Sequence, residues 1–532
     1  MPHIHDLHRD VLEKILYKAV AAPAKNLSEW KTKLPLLAVC RKWTKLALSF
    51  VFYQVFVELP RFPGPSLDTY LLWSSNAELF ISRRCVLRAI FLTIELSYRI
   101  TSDQLRCIAL DILKLDRVDW QNINSLTFTF ATLTIYLPVE PVSQDDTTAT
   151  DVARTAQYFA QNLRNIVELD FCSLAKESAG EYLYTNLAML YGGQLQVLRA
   201  DGPTPLPFSC IPRNVKVLGL TLDSSTVPVL PSICGETLKV LKLDDIPRNF
   251  AWHYFRYDIF DLPIVFRQLT VLHLSYERNV MPLTESEVQD KIVSGARCCD
   301  QLYFPALREL AIWNCTPDCD LLYIDLPFPE LKKVVLFGSI GSIRHCSRLR
   351  FTGVRDLSVD ILSAESDDTA EIYRVTNHFF SNIRINRVAS LSVGGNWFVL
   401  DPEAIRWANL TQLQVNKADC VTVYTMIDRL PNLCELTIFI LDLGSFAGDS
   451  SLSISEDPIL AWGERLTVLI IQYLDQDCPL TAAISVIQAL VRRTVALERL
   501  QVPESVHRLV VAFIDMYKDR YPHLANISSS ML

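Results

Sequence analysis

Two stretches decide the fold: Leu238-Lys239-Val240-Leu241-Lys242-Leu243 and Leu269-Thr270-Val271-Leu272-His273-Leu274. Each places an apolar residue, two free positions, an apolar residue, one free position and a third apolar residue. The alternation in the second half has the period of a strand with one face turned to a core. The spacing returns at Leu307/Leu310/Ile312, Leu331/Val334/Leu336, Val354/Leu357/Val359, Val388/Leu391/Val393 and Leu410/Leu413/Val415. It continues at Leu433/Leu436/Ile438, Leu466/Leu469/Ile471 and Leu497/Leu500/Val502. Weaker copies precede it at Ile123/Leu126/Phe128, Ile166/Leu169/Phe171, Leu195/Leu198/Ala200 and Val215/Leu218/Leu220. Successive starts from Val215 lie about 22 to 38 residues apart, a period expected of stacked supersecondary units.

The third to sixth positions of each copy are expected to form a short strand whose inward residues stack on the next coil. No coil closes its own core, so the coils must stack. A polar residue about eight positions in, such as Cys315 or Asn396, is expected to satisfy backbone groups at the turn. Residues 102–115 (with Ser102 as cap), 151–163, 177–190 and 480–493 read as helices between strands. Coils of about 23 residues leave room only for a shorter turn or 3₁₀ segment. Residues 139–150 read as a flexible acidic loop, and 363–369 and 447–457 as similar insertions. Residues 505–521 read as a terminal helix with Val506, Leu509, Val510, Phe513 and Tyr517 on one face, capping the last coil. The pattern resembles a leucine-rich-repeat solenoid. That resemblance implies an α/β fold over residues 67–532, a curved parallel sheet with helices on the convex side.

The first sixty residues differ. Leu7, Val11, Leu12, Ile15, Leu16 and Ala19 fall on one helical face, with Asp6 able to cap it. Leu36, Val39, Cys40, Trp43, Leu46, Ala47 and Phe50 form a second such face, with Arg41, Lys42 and Lys45 opposite. Pro60-Arg61-Phe62-Pro63-Gly64-Pro65-Ser66 then reads as a hinge, because no helix or central strand would contain it. A small helical unit of this size needs a partner or a following domain to cover it.

Leu7-x-x-Asp10-Val11-Leu12-x-x-Ile15-Leu16 followed by Val39-Cys40-Arg41-Lys42-Trp43-x-x-Leu46-Ala47 resembles an F-box. His8 stands where that family prefers proline, and residues 21–29 lengthen the gap between the two runs. The resemblance implies a three-helix unit over residues 1–60 that docks the Skp adaptor, and through it a cullin scaffold. The adaptor-binding residues so implied are Leu7, Val11, Leu12, Ile15, Leu37, Val39, Cys40 and Trp43. The pairing of such a start with degenerate leucine-rich coils is similar to the expanded F-box families of fungi.

Composition sets limits. Of 532 residues, half are hydrophobic and 21% charged, enough for a large core and too apolar for wholesale disorder. Lys and Arg number 51 against 59 Asp and Glu, a net charge of −8, and no basic face points to nucleic acid. The fourteen cysteines are scattered, and the start lacks a charged-then-apolar leader. They read as reduced thiols in the cytoplasm or nucleus. The most apolar stretch, residues 80–96, is interrupted by Arg83, Arg84 and Arg88, so no membrane span is expected.

No catalytic or cofactor motif emerges. Gly338-Ser339-Ile340-Gly341-Ser342 lacks the lysine and third glycine of a phosphate cradle and reads as a turn. Cys315-x-x-x-Cys319 alone has zinc-pair spacing; Cys298 and Cys299, being adjacent, would point apart, so buried core thiols are expected. His3, His5 and His8 read as solvated. Trp252, His253, Tyr254, Phe255, Tyr257 and Phe260 crowd one insertion and read either as packing of a long coil or as anchors for a protein partner. Among them Trp252, Tyr254, Phe255 and Tyr257 are the candidate target-binding residues; Trp397, Trp407 and Trp462 follow strands similarly.

The expectation is a substrate-recognition subunit of a Skp–cullin–F-box ubiquitin ligase, not itself an enzyme, needing no cofactor and binding a protein target. The alternative is a leucine-rich scaffold whose N-terminal helices only cap the solenoid.

Overall fold

The structure is a computed structural model. It describes residues 27–35, 54–59, 74–75, 89–96, 123, 125–132, 146–173, 179–201, 211–222, 234–246, 265–276, 304–315, 328–338, 353–361, 387–394, 409–442, 465–475, 480–494, 496–517, 524 and 526–530. The described residues have an α/β architecture built on parallel β-sheet. Two compact units divide the chain, Met1–Pro247 with His253–Phe266, and Arg248–Trp252 with Arg267–Leu532.

The first unit runs α1 (Leu27–Thr32), β1 (Gln54–Leu59), β2 (Ser74–Ser75), β3 (Ala89–Leu96), β4 (Ser125–Thr132), α2 (Asp146–Asn162), β5 (Glu168–Ser173), α3 (Ala179–Leu190), β6 (Val197–Asp201), β7 (Val217–Thr221), α4 (Cys234–Thr237) and β8 (Val240–Ile246). Strands β1 and β3 to β8 pair in parallel, in chain order, and β2 lies antiparallel on β1.

The second unit runs β9 (Val271–Tyr276), β10 (Glu309–Cys315), β11 (Lys333–Gly338), β12 (Asp356–Ile361), β13 (Ser390–Gly394), β14 (Gln412–Asp419), α5 (Cys420–Arg429), β15 (Glu435–Asp442), β16 (Val468–Leu474), α6 (Leu480–Arg493), β17 (Arg499–Pro503), α7 (Glu504–Met516) and β18 (Asn526–Ser530). Each strand pairs in parallel with the next.

The repeat reading decides where strands begin. In every copy found in the sequence the strand starts at the third position, from Ser125 after Ile123 to Arg499 after Leu497. The first, fourth and sixth positions turn inward: of those with described side chains, none is more exposed than Ala200 at 8%. Second positions form a ladder of their own. Lys332 N donates to Arg308 O, Arg355 N to Lys332 O and Ala389 N to Arg355 O, at 2.8–2.9 Å. A one-residue slip would turn every leucine outward, so the register is strongly specified.

Helices cover the leucine face. Val152, Ala156 and Phe159 make the buried stripe of α2, with Leu163 buried just beyond its end, and the α3 ring of Tyr184 meets Phe171 of β5 at 4.8 Å between centroids. Tyr184 OH also donates to Arg199 O at 2.9 Å. On α7 the buried residues are Val506, Val510, Phe513 and Ile514.

Several expectations need correction. Helix α2 starts at Asp146, inside the stretch read as a flexible loop. The 23-residue coil after Leu410 holds a full helix, α5, because Asp419 ends β14 and caps the helix at once, accepting from Thr422 N at 2.7 Å. With no loop between strand and helix, a short coil has room for ten helical residues. Leu509, placed on the inner face of the last helix, is 50% exposed. That helix is also not the last element, since β18 follows and pairs with β17. Gln54–Leu59, read with the N-terminal helical unit, is a sheet strand.

Candidate functional site

Alternation along each strand sends the third, fifth and seventh positions of a coil to the open face of the sheet. Those residues are the ones a partner would meet, because the leucine face is covered.

In the first unit the open face is ionic. Arg199 Nη1 donates to Glu168 Oε1 at 3.0 Å and to Asp170 Oδ2 at 2.9 Å, one strand away. The Arg199 stem runs beside Gly219 of β7, its register partner, where a Cβ would lie at ordinary contact distance, 3.4 Å from Arg199 Cγ. Burial pushes the Asp170 carboxyl up to about 6; Arg199 pulls it back and Glu168 adds to the rise. Beyond them Thr221 Oγ1 donates to Asp201 Oδ1 at 3.2 Å, and Cys172 Sγ lies 3.9 Å from Asp201 Oδ2. Burial and the Asp201 charge raise the Cys172 thiol, which weakens it as a nucleophile. Two shallow depressions of about 450 and 470 Å³ flank the end of α3, with Arg213 and Arg164 as their charged groups.

In the second unit the open face mixes aromatic and charged groups. Lys333 Nζ donates to Glu309 Oε1 at 3.1 Å, and His273 Nε2 lies 3.2 Å from the same oxygen. Burial works against the Glu309 carboxylate, but the hydrogen bonds from Lys333 and His273 outweigh it and hold its pKa below the ordinary value. The His273 ring meets Trp313 edge-on, at 5.1 Å and 77°. Trp313 pairs in register with Phe337, Phe337 with Asp360, and Asp360 with Gly394. The Asp360 carboxylate lies over Gly394, in the space a Cβ would occupy. Burial raises the Asp360 pKa. Farther along, Lys417 Nζ bridges Asp442 Oδ2 and Asp475 Oδ2, each at 3.0 Å, and the Phe439 and Tyr473 rings lie 5.0 Å apart. The side chains in these pairs are 18–48% exposed, so each pair contributes about 1 kcal/mol; they shape the surface more than they stabilise it.

The residues expected to bind the adaptor, Leu7, Val11, Leu12, Ile15, Leu37, Val39, Cys40 and Trp43, lie outside the described residues, as do the candidate target anchors Trp252, Tyr254, Phe255 and Tyr257. So do His3, His5, His8, Cys298, Cys299, Cys319, Asn396, Trp397, Trp407 and Trp462. Asn314, one position before the expected turn residue Cys315, adopts φ 51° and donates from Nδ2 to Tyr276 O at 3.1 Å. Asp245 takes the same left-handed backbone two coils earlier, as an Asn or Asp can. The open-face residues were missed, although a signal for them existed. Aligning the coils on their first apolar residue (Leu307, Leu331, Val354 and Val388) puts Trp313, Phe337, Asp360 and Gly394 all at the seventh position.

Among the described residues no helix is long and apolar enough to cross a membrane. Comparison with protein-family models found no match to this sequence, and comparison with curated proteins found none either.

Proposed function

We propose that this chain is a protein-recognition subunit of a Skp–cullin–F-box ubiquitin ligase, its N-terminal residues docking the Skp adaptor and its leucine-rich coils holding a protein target. The observation that carries the recognition half is the open sheet face of the second unit, where Trp313, Phe337, His273 and charged groups stand on adjacent strands. Aromatic anchors ringed by polar groups are the chemistry of protein interfaces. The adaptor half rests on the resemblance of Leu7 to Leu16 and Val39 to Ala47 to an F-box. Ubiquitin transfer would take place on other subunits, and this chain would raise the local concentration of target.

One observation favours the scaffold reading. Gln54–Leu59, at the end of the F-box-like stretch, pairs along its whole length with β3, so the stretch leads directly into the sheet. Removing residues 1–60 would therefore strip a strand from the sheet, and point substitutions make the cleaner experiment.

The test is co-purification of the full chain with the Skp adaptor. The wild-type chain should retain it, and Val11→Asp and Trp43→Ala should each lose it with the far-ultraviolet circular dichroism unchanged. A folded wild-type chain that fails to retain the adaptor overturns the ligase reading and leaves the scaffold. Adaptor binding that survives in folded Trp43→Ala removes that residue as an anchor.

A further inference from the structure

We propose that the exposed face of α7 pairs with the same face of a second copy of this chain, the two helices lying antiparallel about a two-fold axis near Ala512. The inference is independent of the ligase reading.

The face is apolar where a solvated helix would be polar. Helix α7 packs against α6, β17 and β18 and buries Val506, Val510, Phe513 and Ile514 there. Its other side leaves Leu509 50% and Met516 75% exposed, the latter the most exposed of the large apolar side chains described. Leu509, Ala512 and Met516 recur at the i, i+3, i+7 spacing of a helix–helix seam, and Ala512 is exposed with them. A small residue at the middle of the stripe lets two backbones approach closely.

Arg508 and Asp515 run along one flank of that stripe and are likewise exposed and seven residues apart. Two helical turns, about 10 Å, keep them from pairing with each other. Among the described residues neither side chain has an ion pair.

The two spacings make the face complementary to itself. A two-fold axis normal to the plane of two antiparallel helices keeps each flank on its own side of the seam. Near the axis, positions about equally far before and after Ala512 come level. Leu509, three before, meets the partner's Met516, four after. Arg508, four before, meets the partner's Asp515, three after. Each contact occurs twice, as an isologous interface requires. A parallel pair would instead lay the charged flank of one helix against the apolar flank of the other. The 13 residues of α7 span about 20 Å, so the pair buries less than a standard interface of about 1,600 Å². The dimer is therefore weak, and its population follows concentration.

The experiment is sedimentation equilibrium of the full chain, from low to several hundred micromolar. Its weight-average mass should rise toward that of a dimer. Met516→Glu, which places a charge in the seam, should weaken association at least about tenfold. Arg508→Asp sets acid against acid at both ends of the seam, and Asp515→Arg sets arginine against arginine; each should weaken it about five- to tenfold. The double variant Arg508→Asp/Asp515→Arg exchanges the partners of both ion pairs and should restore the wild-type association. Asp428→Arg, the same change of charge on exposed α5, should leave it unaltered. All the substituted side chains are exposed, so circular dichroism should stay that of wild type. A chain that remains monomeric throughout overturns the proposal and leaves the face to a different protein. Association that survives Met516→Glu, or a double variant as weak as the single ones, overturns it equally.

Discussion

The Asp360 carboxylate occupies the place where Gly394, on the next strand, would carry a side chain: a Cβ there would stand 2.6 Å from Asp360 Cγ. Gly394→Ala therefore forces Asp360 to another rotamer. Strand alanine is ordinarily favoured over glycine, by roughly 0.5–1 kcal/mol. With Asp360 present that gain should vanish or turn into a loss of about 1 kcal/mol, and in an Asp360→Ala background it should return. Denaturant titration of the four proteins reads the coupling directly. Additive effects would show that the contact does not constrain the pair.

Asp170 titrates at about 6 in the folded protein, above its ordinary 3.8. A carboxyl whose folded pKa is raised binds its proton more tightly when folded, so it favours folding when protonated and opposes it when ionised. Its contribution is thus most favourable below about pH 4 and is lost as pH rises through 6. The stability of wild type minus that of Asp170→Asn should fall between pH 4 and pH 7, by at most about 3 kcal/mol. A flat difference across that window would place the carboxyl in an ordinary environment.

Asp419 begins α5 without a loop, and the helix rests on that bond from Thr422 N at 2.7 Å. Asp419→Ala should destabilise the second unit by about 1 kcal/mol, and Asp419→Asn by much less, since its amide oxygen can accept the same bond. Equal losses in the two variants would assign the effect to charge.

Asn314 combines a left-handed backbone with a side-chain bond to Tyr276 O. Asn314→Gly relieves the backbone and loses the bond. Asn314→Ala loses the bond and keeps the strain, so it should be the more destabilising, by about 1 kcal/mol. Thermal melts of the two variants give the order. A more stable alanine variant would contradict the role of the backbone angle.

Much of the fold could be read before any coordinates. Leu241 and Leu243 alternate with the period of a strand, Leu238 stands three positions before them, and the return of that spacing at coil-length intervals forces stacking. That reading found the strands from β4 to β17 and their first residues. It passed over β1, β3 and β18, although Phe52/Val55/Val57, Leu87/Ile90/Leu92 and Leu524/Ile527 carry the same spacing. The first follows a stretch with helical periodicity, the second lies within the most apolar run of the chain, and the third follows the last amphipathic helix.

The candidate site was less legible. The aromatic run from Trp252 to Phe260 stands out in the sequence because its residues cluster along the chain. Trp313, Phe337 and Asp360 are separated in sequence by insertions of unequal length, and nothing local links them.

What the sequence determined by itself is the inward half of each coil, since burying a leucine requires only that it alternate with its neighbours. Tertiary structure decided the outward half. Which ring stands beside which carboxylate depends on parallel register between coils, and on where a glycine leaves room for the neighbouring side chain to lie down. Those relations arise only once the coils have stacked.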